Sequence, residues 1–188
     1  MPIIASEGER KEYKLVPAGT HQAVCFGVWD IGLQKSTYNG KESLKRKVIV
    51  GWEIDETMDS GPSVGKRMTI YKTYTLLLAP KAALRKDLEG WRGRAFTPEE
   101  LKGFDIEKLI GANCTLSVIH EEDNGKTYAN ISSVGKLMKN SVPMIPENKP
   151  DMPEWVKKKA EMAVKEEPHI PEDAPEEVVV EDTETVPF

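Results

Sequence analysis

Apolar and polar residues alternate with period two along three successive stretches of this chain, switch to helical spacing, and then alternate again. Residues 20–31 (THQAVCFGVWDI) are rich in β-branched and aromatic side chains and predict a strand. A turn at Pro17 and Gly19 leads into it, and Gly27 suits a bulge. Residues 32–41 (GLQKSTYNGK) predict a loop around an Asn39-Gly40 turn. In residues 45–55, Val48, Val50, Trp52 and Ile54 share one face, and Lys47, Ile49 and Glu53 the other. A second loop at 56–66 is broken by Gly61-Pro62 and Gly65. Residues 67–78 then set Met68, Ile70, Tyr74 and Leu76 against Arg67, Thr69, Tyr71 and Thr73.

Helical spacing follows. Residues 80–89 place Ala83, Leu84 and Leu88 on one stripe, with Gly90 as the expected stop. Thr97-Pro98-Glu99-Glu100 is a capping box with Pro at the first helical position. Residues 104–109 predict a short helical turn capped by Asp105, with Phe104 stapling onto Leu109, and ended by Gly111. Strands return at 112–121 and 126–134 around Asp123-Asn124-Gly125.

Three strands, a helical connection and two strands is the order of an OB-fold, a five-stranded partly open barrel. Another five-stranded barrel or an α+β sandwich has the same order. The expected organisation is an irregular arm (1–16), a mostly β, OB-like body (17–140), a Pro-rich linker with a short helix at 154–165 (141–165), and a disordered acidic tail (166–188).

Charge divides the chain in the same way. The formal net charge of the 188 residues is −5, yet residues 166–188 hold nine carboxylates and neither Lys nor Arg. Removing those nine negative charges leaves a body of formal charge +4. Such a body suits a polyanion, and an acidic tail suits basic partners. Cys25 and Cys114 are too few for a disulfide scaffold and point to a reducing cytoplasm. The amino-terminal segment is unlike a signal peptide, and no apolar run approaches the ~20 residues of a bilayer span. A soluble cytoplasmic protein is expected.

Proteins that hold single strands combine cations for phosphates with flat rings on which bases stack. Here Lys35 accompanies Tyr38, Lys45-Arg46-Lys47 leads to Trp52, and Lys66-Arg67 leads to Tyr71, Lys72 and Tyr74. Arg92 and Arg94 sit between Trp91 and Phe96. In an OB-fold the ligand crosses strands two and three, flanked by the first and fourth inter-strand loops, where three of these four clusters fall. Trp52 shares a face with three aliphatic residues and is read as core. Trp91 and Phe96 are read as anchors of the helical connection, leaving Arg92 and Arg94 as the contacts there. Tyr71 shares its face with Arg67, Thr69 and Thr73 and is read as a ligand residue.

Other chemistries find less support. His21 with Cys25, and Cys114 with His120, lie ~13 and ~20 Å apart along extended strands, too far to share a zinc ion. Gly61 to Arg67 departs from a phosphate loop in its spacing and has Arg67 where Ser or Thr would hold magnesium. Asp55, Glu56 and Asp59 form a solvated loop, and no nucleophile motif is present. A binder rather than an enzyme is expected, with neither cofactor nor metal.

The closing Glu181-Asp182-Thr183-Glu184-Thr185-Val186-Pro187-Phe188 resembles the acidic tip of bacterial single-stranded DNA-binding proteins, which end in an Asp-rich run and Ile-Pro-Phe. It departs from them in Thr183, Thr185 and Val186. The body is more similar to OB-fold single-stranded DNA-binding proteins of tailed bacteriophages, the resemblance resting on residues 84–120 (LRKDLEGWRGRAFTPEELKGFDIEKLIGANCTLSVIH). The two resemblances together cover about a third of the chain. They imply a protein that coats single-stranded DNA in phage replication and recombination, in the host cytoplasm. They also imply that it recruits replication or recombination enzymes through Pro187 and Phe188, with Val186 beside them and Glu181, Asp182 and Glu184 as an electrostatic rim. The alternative is a protein–protein adaptor of a replication module that does not itself bind DNA. Several copies acting together would add avidity to so modest a body charge, and whether the chain is a homo-oligomer is left open.

Overall fold

Alternation over the five predicted strands is realised in one five-stranded antiparallel sheet. A computed structural model describes residues 14–164 apart from Asn39, and Tyr38 by its backbone alone. The expected amino-terminal arm before Lys14 and the whole acidic tail lie outside the described residues. The elements are β1 (Gly19–Tyr38), β2 (Lys41–Thr57), β3 (Arg67–Thr75), α1 (Ala83–Arg92), α2 (Pro98–Lys102), a 3₁₀ turn (Ile106–Leu109), β4 (Asn113–Asp123), β5 (Lys126–Lys136) and α3 (Glu154–Glu161). The chain is therefore mostly β with a few short helices. Among the described residues the sheet order is β3-β2-β1-β4-β5; β3 and β5 are edges and do not pair, so the sheet is not closed into a barrel. Across their gap the Lys72 ammonium donates to the Ile131 carbonyl at 3.0 Å.

A bulge at Gly27 divides β1. Before it, Ala23 and Cys25 face the main core; after it, Val28 faces that core while Trp29 and Ile31 face outward with Phe26. One extra residue has reversed the alternation, as a bulge must. Gly27 is needed for a second reason: a Cβ there would sit 2.1 Å from the Trp29 ring.

The main core lies on the inner face of the sheet. Val48, Val50, Trp52 and Ile54 from β2 meet Met68, Ile70 and Tyr74 from β3, Leu116 from β4 and Leu88 and Trp91 from α1. Cys25 and Cys114 are buried on adjacent strands as free thiols, and burial pushes the Cys25 thiol up to about 12. Thr97 and Glu100 form both arms of the expected capping box, and Asp105 caps the 3₁₀ turn. Phe104 packs edge-on against Phe96, with ring centres 5.3 Å apart.

Three boundaries differ from the sequence reading. Residues 32–41 are no loop: the β1–β2 ladder runs out to Tyr38 opposite Lys41. β3 stops at Thr75, leaving Leu76 and Leu77 exposed. The first helix starts at Ala83 and passes through Gly90 to end at Gly93, whose φ of 68° puts it in the left-handed region. Gly90 instead lets α1 lie directly on β5, because a Cβ there would be 2.4 Å from the Val134 carbonyl oxygen. Helix propensity favours Ala over Gly by about 1 kcal/mol. Gly90→Ala is nevertheless expected to destabilise the fold, by about 1–3 kcal/mol for overpacking against a fixed backbone. Urea unfolding of the two proteins checks this.

Candidate nucleic-acid interface

The expected cations fall in three places. The first is a two-stranded ribbon, residues 33–46, where β1 and β2 continue past the core. It carries Lys35, Lys41, Lys45 and Arg46 against one carboxylate, Glu42. Every residue from Lys41 to Arg46 is exposed, as is Lys35. Among the described residues Lys35, Lys41, Lys45 and the half-buried Lys47 carry no salt bridge. Arg46 does: its Nε donates to Asp30 at 2.8 Å. Tyr38 closes β1 at the tip of this ribbon.

The second place is the outer face of β1, β2 and β3, which is covered. Residues 142–164 cross it as a strap held mainly by backbone groups. Gln22 donates to the Val142 carbonyl, Asn113 exchanges hydrogen bonds with Met144, and the Trp29 indole donates to the Pro150 carbonyl at 2.9 Å. Val156 of α3 is fully buried with Phe26, Trp29, Ile31 and Ile49. Tyr71 is half-buried in this layer, its ring 5.0 Å from that of Trp155. Arg67 donates to the Ile145 carbonyl at 2.8 Å and pairs with Glu147 and Glu53. Lys66, in the preceding loop, is exposed and carries no salt bridge among the described residues.

Lys72 points the other way from Tyr71. Its ammonium donates to Asp87 at 2.7 Å, and the Tyr74 hydroxyl donates to the same carboxylate oxygen at 2.8 Å. Burial, together with the Asp87 charge and hydrogen bond, holds the Tyr74 phenol far above its usual range. This tie joins β3 to α1.

The third place is the helical connection. Arg92 lies over the Phe96 and Phe104 rings, 4.6 and 5.3 Å from their centres, and pairs with Glu100. Arg94 binds the same carboxylate through both terminal nitrogens, at 2.9 and 2.7 Å. The Trp91 indole donates to the Asn113 carbonyl, and Trp52, only 1% exposed, is core as its face predicted. Of the expected contacts, Lys35, Lys45, Arg46 and Lys47 are therefore gathered on or at the base of the ribbon. Arg67, Tyr71, Lys72, Arg92 and Arg94 are held by intramolecular partners. The tail residues Glu181, Asp182, Glu184, Val186, Pro187 and Phe188 lie outside the described residues.

Sequence reasoning missed the strap and the buried Glu53 that anchors it. One signal was present: Ile49 is apolar on the face opposite Val48 and Val50, as expected of a strand buried on both sides. It also missed Tyr128, exposed on the edge strand β5. No helix among the described residues is long and apolar enough to cross a membrane. Comparison with known proteins finds no matching family model and no matching curated protein.

The Arg94 hydrogen bonds, the Thr97 amide and Arg92 hold the Glu100 carboxyl well below the usual carboxylate range. A lowered folded-state value stabilises above the unfolded value of about 4.3 and is lost as pH falls below it. Glu100→Gln is therefore expected to lower Tm at neutral pH. The gap to the native chain should stay constant from about pH 6 to 8 and narrow below about pH 4. Thermal melts of both proteins across that range check it.

Proposed function

We propose that this chain binds single-stranded DNA without sequence preference, as a phage-type protein of replication and recombination with an OB-like body. The observation that carries the reading is the ribbon: Lys35, Lys41 and Lys45 stand together on one solvent-exposed two-stranded element, with Glu42 its one carboxylate. Phosphates bind such a track through Coulomb attraction and release of counterions. The strand order supports an OB-like body, since β1 lies between β2 and β4 and the helical segments join β3 to β4. On this reading the ribbon is the elongated first inter-strand connection, one of the two that flank an OB-fold's ligand. The acidic tip, with Pro187 and Phe188 as anchor, then recruits partner enzymes to the coated strand.

Fluorescence polarisation of labelled oligo-dT and of duplex, each at two salt concentrations, tests this. The full chain should bind oligo-dT more tightly than duplex and lose affinity steeply as salt rises. Absence of binding to oligo-dT at low salt, with or without residues 166–188, would remove the reading and leave a protein–protein adaptor.

A further inference from the structure

The gap between the two sheet edges is a site of its own. A groove of about 570 Å³ opens between β3 and β5, lined among others by Lys14, Lys66, Arg67, Tyr71, Tyr128 and Asn130. Among the described residues no Asp or Glu lines it. Lys14 turns to Asp59, and Arg67 is held by Glu53 and Glu147, so Lys66 is the cation most available to a ligand. Among the described residues both walls are edge strands, which offer N–H and C=O groups outside the sheet ladder, although Lys72 takes the Ile131 carbonyl. The β5 wall also brings an open flat ring, Tyr128, 45% exposed, whereas Tyr71 on the other wall is half-buried against Trp155.

We propose that this groove is a second nucleic-acid site, and that a bound single strand runs through it instead of across the outer face of β1, β2 and β3. The proposal rests on the single-stranded DNA reading above. The outer face is closed to bases, because Trp29 is buried and the Tyr71 ring already packs on Trp155 beneath the strap. Among the described residues the groove is open, and it offers what a polyanion with flat bases needs. Lys66 meets a phosphate, Tyr128 stacks a base, and backbone N–H groups of the edges supply hydrogen-bond donors, the Asn130 side-chain amide being held by Glu121. An extended peptide could use the same edges, but an exposed cation and an exposed aromatic ring, with no carboxylate in the described lining, favour nucleic acid.

The test uses the full chain with Lys66→Glu and, separately, Tyr128→Ala, beside the ribbon variant Lys45→Glu. All three residues are exposed, so the variants are expected to melt as the native protein does. Loss of a stacking ring should weaken oligo-dT binding by about 5-fold or more. Loss of a phosphate contact at Lys66 should reduce the slope of log affinity against log salt by about 1. If Lys45→Glu weakens binding while both groove variants bind like the native chain, the groove is not on the path and the DNA-binding reading survives. Absence of oligo-dT binding by the native chain overturns both. Binding of a synthetic peptide of residues 176–188, lost in Tyr128→Ala while oligo-dT binding is unchanged, makes the groove a peptide site and overturns the proposal alone.

Discussion

Glu53 is a carboxylate with no exposed surface, within the unbroken buried run 48–54 of β2. An ion removed from water without partners costs many kcal/mol, so β2 can hold this residue only if the rest of the chain brings donors to it. The strap brings them. The Glu147 amide donates to both carboxylate oxygens at 3.0 Å. The Asn148 amide and side chain donate at 2.6 and 2.9 Å, and Arg67 adds its charge from β3. Segments 95 residues apart are thereby tied, and β2 is buried on both faces.

The division of the surface follows from that tie. With the strap in place, Phe26, Trp29, Ile31 and Ile49 gain an apolar cover from Val156, and the face an OB-like binder would present is occupied by the protein's own chain. Among the described residues, what remains open is the β1–β2 ribbon and the two sheet edges. The helical connection adds little, because Glu100 holds both of its central arginines. Placing the strand on the ribbon and the edges reconciles a covered face with the proposed DNA-binding role.

Much of the fold was legible because it depends on local periodicity. All five strands, the capping box and the turn at Asn124-Gly125 follow from side-chain alternation and backbone preference, which any short window carries. The bulge was visible in Gly27, but its reversal of the inward and outward faces was not, since that depends on counting through the ladder. Gly90 was misread because a glycine required by close approach to Val134 looks in sequence like one that stops a helix. The strap was illegible for a different reason. Residues 142–153 dock largely through backbone N–H and C=O groups, which every sequence possesses, and their partners lie far away in the chain. Likewise, nothing around Arg67, Lys72, Arg92 and Arg94 in the sequence marks them as paired: proximity to aromatics signals cations, and only the fold shows which carboxylates they meet.

Amide hydrogen exchange on the full chain, with and without saturating oligo-dT, tests most directly whether a strand lies on the ribbon and the edges while the strap stays closed. The account predicts slowed exchange at residues 41–46, at the β3 edge around 67–71 and at 128–130, with the amides of Glu147, Asn148 and Val156 unchanged. Faster exchange in the strap, with the ribbon and edges unaffected, would contradict it.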